Sequence, residues 1–528
     1  MTTNPGPTRA PRHRVWPGRI ARLLSGALVL ALAGGAVALA STLPEATGTG
    51  TAASASAVEV APSASTLVCP GPLTLPDDST SGGTEFDRVP VDPVEAVRGF
   101  TTQSGSDAAL TLLDDSRTVD LKGTSASLSS PTTATVLRAD PVDGDVARMA
   151  GVTSSVVTDG DLRGLSAASC TEPTTDVWLV GGSTALESTA DLVVVNAGAT
   201  AAEVTIELWG PSGAVDLGTG GSLVVAAGAQ EEVVLAGIAA EQRRIVVHLS
   251  SEGGQIAGYL QDSLLDGFTP LGTDLVTAGS EPSVQQVVPG IVLGETDVDA
   301  ADAGALRLLV PGDEDATVSV TLIGPDGEQP LTGAQDLELT AGEVTDISLG
   351  GLPAGSYTAV VDSTVAVAAS AMTARAGEAG ELDDVDRVDR AWSAATDTGG
   401  GLVAVPSGAT SQLVLAAVPS DDATSSDDDV LQATVRTYGT AGLLDESTVE
   451  IPVGSTLTTD LSDLGSGITG VEVEPVDTGG TALAALSWAL VASASASDGT
   501  LLSVVLPLVD RTSTTQALVR EGNRVGLD

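Results

Sequence analysis

Three segments of the chain carry one turn signature at a nearly constant interval: VTIELWGPSG (Val204 to Gly213), VSVTLIGPDG (Val318 to Gly327) and ATVRTYGTAG (Ala433 to Gly442). Their first glycines, Gly210, Gly324 and Gly439, lie 114 and 115 residues apart. Ahead of each glycine apolar and polar residues alternate: Val204, Ile206, Leu208; Val318, Val320, Leu322; Ala433, Val435 and, less well, Thr437. A period of two puts one face of an extended strand against a core and the other in water. The G-x-x-G that follows fits a hairpin turn in which one glycine of each pair, Gly210/Gly213, Gly324/Gly327 and Gly439/Gly442, supplies a positive φ without steric cost.

The register extends both ways from the turn. Leu192 and Val194 open a strand ahead of Gly210, as Leu306 and Leu308 do ahead of Gly324. In the third copy the matching Leu413 and Leu415 lie eight residues farther upstream, and the acidic insertion Ser420 to Asp429 accounts for the excess. Insertions belong in surface loops. Each unit then reads as about six or seven short strands with turns every 8 to 12 residues or so, the pattern of an antiparallel sandwich. Solenoid repeats are shorter, so the long period predicts separate domains on a string.

The expected fold is all-β: tandem immunoglobulin-like antiparallel β-sandwiches behind an N-terminal signal or anchor helix. Residues 1–43 form the basic tail and the helix, and 44–66 a Ser/Thr/Ala/Gly linker. Residues 67–176 form an N-terminal β-domain without the turn signature. Spans 177–280, 284–390 and 391–510 are sandwich repeats 1, 2 and 3, and 511–528 is a polar tail. The most polar boundary is Arg375 to Arg390.

Arg9, Arg12, Arg14, Arg19 and Arg22 precede an uncharged run from Leu23 to Leu43. A basic flank ahead of an apolar run is an export signal. The run ends in small residues near Ala40 and is also long enough to span a bilayer, so a cleaved signal and a retained anchor both stand. Everything after Leu43 is expected outside the membrane, anchored by that helix or secreted. Cysteine use agrees, because Cys69 and Cys170 are the only two and both follow the signal. Two thiols in an oxidising compartment pair; the other reading is two buried free thiols.

Charge narrows the partners. With 70 acidic residues against 22 basic ones the formal net charge is −48, which excludes nucleic acid as a partner. Hydrophobic residues at 42% set the chain apart from acidic disordered sequences, and five Trp, three Tyr and three Phe leave its cores aliphatic. One lysine against 21 arginines points to a GC-rich, actinobacterium-like source.

Catalytic chemistry is scarce. His248 is the one histidine after the leader, and Ile245, Val247 and Leu249 take the opposite face of its strand, which makes it a surface or edge residue. No nucleophile elbow or zinc motif occurs, and no cofactor is expected. Trp209, Ile323 and Tyr438 share one repeat position, so Trp209 reads as packing, and Trp178, Trp392 and Trp488 read the same way. Asp143/Asp145, Asp159/Asp161, Asp297/Asp299 and Asp427/Asp429 have a spacing that can share calcium, but none continues into a full binding loop, so they read as solvated charge.

The stretch Gly160 to Gly213, with CPGPL (Cys69 to Leu73) and VQQVVPG (Val284 to Gly290), resembles an uncharacterised family of secreted or membrane-anchored actinobacterial proteins. The resemblance implies an envelope location and a genomic association with cell-surface glycosyltransferases, and brings no catalytic residue. One departure is Asn196-Ala197, where that family reads Asn-Pro. The expected function is a non-catalytic envelope scaffold, spacer or partner for an envelope protein or glycan. The rival is a carbohydrate-active or carbohydrate-binding module using paired carboxylates.

Overall fold

The computed structural model describes residues 56–59, 62–75, 93–103, 106–267, 269–298, 300, 302–379, 385–420, 429–477, 483–510 and 516–519. The expected leader helix and residues 421–428 of the acidic insertion lie outside them. Among the described residues no helix is long and apolar enough to cross a membrane. Two compact units are present: residues 61–513, and the termini up to 60 and from 514. In the terminal unit Ser56–Glu59 pairs antiparallel with Gln516–Val519, where a linker and a tail were expected.

Alternation builds the strands of the larger unit as the sequence predicts. In Ala202–Gly210 the burial pattern alternates through Leu208, with Val204, Ile206 and Leu208 inside. Repeat 1 has eight strand positions: Asp176–Val180, Ser188–Asn196, Ala202–Gly210, Gly213–Ala214 continued by Ser222–Val225, Ala229–Val234, Val246–Glu252, Ala257–Asp266 and Thr269–Val276. One sheet takes them in the order first, sixth, third, fourth; the other in the order fifth, second, seventh, eighth.

The N-terminal β-domain has the same order. Its strands Ser65–Cys69, Val94–Thr101, Ala108–Leu112, Thr118–Asp120, Ser125–Ser129, Thr135–Ala139, Met149–Val157 and Gly164–Ser169 fall into two sheets in those sequences of neighbours. It is a fourth copy without the turn signature. Its third and fourth strands are joined by a longer loop in which Asp115, at φ 56°, takes the left-handed position. In the three glycine-marked hairpins the second glycine takes it, at φ 114° for Gly213, 111° for Gly327 and 139° for Gly442. The first glycine serves close approach: a Cβ on Gly210 would meet Gln242 Oε1 at 2.2 Å, and one on Gly324 would meet the Tyr357 ring at 2.6 Å.

Repeat 2 fuses its sixth and seventh strands into the 25-residue Gly355–Ala379, which passes from one sheet to the other. Its eighth strand, Asp386–Ala394, pairs with Ser370–Ala379. The polar stretch Arg375 to Arg390 is therefore a hairpin within repeat 2 and not a boundary. Three of its charged residues bond neighbouring modules: Arg387 pairs with Asp159 and Asp498, Asp389 accepts from the Leu502 amide, and Arg390 pairs with Asp262.

The modules are not strung out. The outer face of the first sheet of each packs on the outer face of the second sheet of the next. Val68 and Ala134 of the N-terminal module meet Val193, Tyr259 and Leu275 of repeat 1. Trp178, Trp209 and Val246 of repeat 1 meet Leu309, Val344 and Ala368 of repeat 2. Val287, Ile323 and Val360 of repeat 2 meet Ala416 and Val418 of repeat 3. The circle closes where the ring of Tyr438 of repeat 3 meets, 5.2 Å away and tilted, that of Phe100 of the N-terminal module, which fills the space that Gly470 leaves open. Such head-to-tail contacts make a ring when their rotation closes, and here it closes at four. The position ahead of the turn supplies one knob per seam: Leu113, Trp209, Ile323 and Tyr438.

Candidate functional site

At the centre of the ring the four eighth strands meet: Gly164–Ser169, Thr269–Val276, Asp386–Ala394 and Gly499–Val505. Hydrogen bonds link each to the next. The Ser166 hydroxyl donates to the Thr273 carbonyl at 3.0 Å, and the Trp392 amide donates to Asp274 Oδ2 at 2.8 Å. The Leu502 amide donates to Asp389 Oδ2 at 2.6 Å, and the Ala167 amide donates to the Ser503 hydroxyl at 2.9 Å. Backbone amides that face another module cannot join their own sheet's ladder, so side chains accept from them.

Burial decides the electrostatics of this hub. It pushes Asp389 up to about 8, against the opposing pull of the Leu502 amide and the Arg163 charge. It holds Asp274 well above the carboxylate range, although the Trp392 amide and Ser503 hydroxyl favour the anion. A third buried carboxyl, Asp191 in the seam between the N-terminal module and repeat 1, is raised to about 7 by burial and then by Glu232. One oxygen of Asp191 has no hydrogen-bond partner among the described residues.

Two charged networks lie beside the hub and at the ring closure. Arg163, 1% exposed, forks onto Asp498 through Nε and Nη2, and Arg387 adds a 2.6 Å bond to the same carboxylate. Burial alone would raise Asp498, but those two arginines hold it below the ordinary value. Farther out, Arg148 of the N-terminal module bonds Glu472, Glu474 and Asp510, while Arg436 reaches Glu446 and Glu474 at 2.6 Å each. The Tyr438 hydroxyl donates to Glu472 at 2.6 Å. Apart from Tyr438, a repeat position, none of these residues is marked by a motif in the sequence. Scarcity was the only available signal, since 22 bases in 528 residues are too few to be spent without a partner.

The residues singled out in the sequence are placed as follows. Cys69 and Cys170 form a disulfide, and Gly151 lies so close beneath it that a Cβ there would stand 2.5 Å from the Cys170 sulfur. His248 is on the central strand of its sheet, not an edge, and is mostly buried. Its two ring nitrogens lie 2.9 Å from Glu207 and Asp176, and its ring stacks at 4.2 Å on Trp178. The chain of contacts continues to Trp209, 5.7 Å beyond, in the seam core. Trp488 and Trp392 are also buried, the latter donating its indole N–H to Asp262. Asp159 pairs with Arg387 at 3.3 Å, and Asp143 sits at φ 54° in an exposed turn. Asp299 and Asp427 lie outside the described residues.

A cleft of about 580 Å³ opens beside the seam between the N-terminal module and repeat 1. Arg138 and Thr66, cross-strand neighbours, form one wall, and two loops of repeat 1, Ala197 to Thr200 and Gly253 to Gln255, form the other. Asn196 fixes the first loop with three bonds: its amide donates to the Thr200 and Val225 carbonyls, and its carbonyl accepts from the Gly198 amide. That is why Ala197 serves where proline was expected.

Residues 125–462 match the model of a "Family of unknown function (DUF5719)". No curated protein matches the chain. Among solved structures it is similar to the "Crystal Structure of Thermotoga maritima 1070", at 15% identity over 22% of this chain and 93% of that one, with a TM-score of 0.17. It is similar also to "Biofilm associated protein - BSP domain", at 11% identity over 85% of this chain and 96% of that one, with a TM-score of 0.14. At these TM-scores neither likeness bears on function.

Proposed function

The chain belongs to that family of unknown function, and we propose that its role is structural: a non-catalytic, extracytoplasmic envelope protein that acts as scaffold, spacer or interaction partner. The basic leader and the Leu23 to Leu43 run support export, and the resemblance to secreted actinobacterial proteins supports a place near surface-glycan assembly. One observation carries the reading. Four carboxyls are spent on holding modules together: Asp274 and Asp389 accept backbone amides across seams, and Asp498 and Glu472 are bonded to arginines. A general acid or base must instead present its proton to a substrate. Four fused sandwiches make a rigid acidic body suited to holding partners at fixed spacing, with basic partners favoured.

The test is to screen the full-length chain against peptidoglycan, arabinogalactan-like glycans and nucleotide sugars. Retention of a glycan or protein from native envelope without turnover supports the reading. Turnover abolished by replacing one Asp or Glu overturns it in favour of the carbohydrate-active alternative.

A further inference from the structure

We propose that the cleft between the N-terminal module and repeat 1 is a binding site for an anionic, hydroxylated sugar, with Arg138 as its charge anchor; this rests on the reading of the protein as a glycan-associated scaffold.

One position on the sixth strand is equivalent in all four modules. The register of first and sixth strands places Arg138 opposite Thr66, Ser250 opposite Asp176, and Asp362 opposite Gln285. Pairing of sixth and third strands brings Glu474 of repeat 3 to the same position. Where this position is charged in the later repeats, it is neutralised or bonded. Asp362 accepts from Gln285 at 2.9 Å, and Glu474 accepts from Arg436 at 2.6 Å. Arg138 alone of the four is a cation, it is exposed, and it has no hydrogen-bond or ion-pair partner among the described residues. The protein carries 70 acids and only 22 bases, so an arginine left unpaired in a cleft is a positive spot in a negative field.

The opposite wall is built in advance. The Thr200 hydroxyl donates to the Gly253 carbonyl at 2.8 Å, tying the two loops of repeat 1 together, and Asn196 locks the first of them. Gly253, at φ 82°, and Gly254 leave room for this approach, since a Cβ on Gly254 would stand 3.2 Å from the Thr200 carbonyl. The cleft therefore offers a guanidinium fork, the hydroxyl of Thr66 and the amide of Gln255 across a rigid gap. Its volume of about 580 Å³ suits one or two sugar rings. A guanidinium fork matches a carboxylate or a phosphate, and the hydroxyls and amide match sugar hydroxyls.

The test uses the full-length chain and saturation-transfer difference NMR with glucuronic acid, glucose 1-phosphate and glucose. At least one of the two anions binds at least tenfold more tightly than glucose, and the preferred one tells whether carboxylate or phosphate is the natural group. Arg138→Gln weakens that binding at least tenfold with an unchanged melting temperature, and Arg138→Lys, which keeps the charge but not the fork, loses less. Equal binding of all three probes, no binding of either anion at millimolar concentration, or anion binding that survives Arg138→Gln overturns the proposal. Retention of envelope glycan by the Arg138→Gln chain would remove this cleft while leaving the scaffold reading intact.

Discussion

Arg163 Nη2 lies 2.8 Å from Asp498 Oδ1, although 335 residues separate the two in sequence. The pair joins the first module of the ring to the last, and Arg163, 1% exposed, cannot return to water if Asp498 is removed, whereas Asp498 keeps Arg387. Asp498→Ala, which strands the buried Arg163, is expected to destabilise the protein by about 3 to 5 kcal/mol. Urea unfolding checks this. Arg163→Ala combined with Asp498→Ala should cost less than the sum of the single changes, and a strictly additive cycle would show that the pair does not act as a unit.

Stability should fall as pH rises from about 4 to about 8. The folded chain keeps a proton on Asp389 up to about 8 and on Asp191 up to about 7, whereas both release it near 3.8 when unfolded. Between those limits the folded state binds more protons, so raising pH favours unfolding. Asp498 and Glu474 are held below their ordinary values, and their contribution is lost only as pH drops below the ordinary carboxylate range. The melting temperature should therefore be higher at pH 5 than at pH 8. In Asp191→Asn and Asp389→Asn it should vary less across that interval, and an unchanged slope in both would count against the buried carboxyls as its source.

Removing the Cys69–Cys170 disulfide, which closes 101 residues, should cost up to about 4 to 5 kcal/mol on the chain-entropy view. Cys69→Ser/Cys170→Ser against the oxidised parent, compared by denaturant midpoint, measures it. Gly151→Ala should strain the same place with both cysteines intact, because a Cβ at Gly151 would stand 2.5 Å from the Cys170 sulfur.

Export is tested by a reporter fused after Thr66. Activity restricted to the outside of the membrane is the expected outcome, and cytoplasmic activity would refute the proposed topology. Mass spectrometry of the N-terminus then separates cleavage near Ala40 from retention of the Leu23 to Leu43 run.

Much of the fold could be read because strand alternation and turn glycines are local. Val204, Ile206 and Leu208 announce their buried face within seven residues, and Gly213 announces its turn by being the residue that tolerates φ 114°. The N-terminal module is legible as a β-domain but not as a copy of the repeat, because its loop is longer and Asp115, not glycine, takes the left-handed position. Ring closure escaped for a different reason. Phe100 and Tyr438, or Arg148 and Glu472, meet across more than 300 residues, and nothing in the neighbourhood of either residue encodes its partner. The cleft lay hidden likewise, since Thr66, Arg138 and Gly253 are ordinary residues until two modules bring them face to face.

The closing contact between Phe100 and Tyr438 also determines how this protein would fail. Each seam joins two unlike, complementary faces, so opening any one seam exposes both at once on a single chain. A second opened chain offers the same two faces, and the contact that had closed the ring can then form between molecules and leave free ends again. The sticky product is an open polymer that grows with concentration, as in head-to-tail fibres of other proteins. Keeping the last module on the first thus withholds these two faces from other molecules, and seam variants should first be watched for concentration-dependent polymerisation.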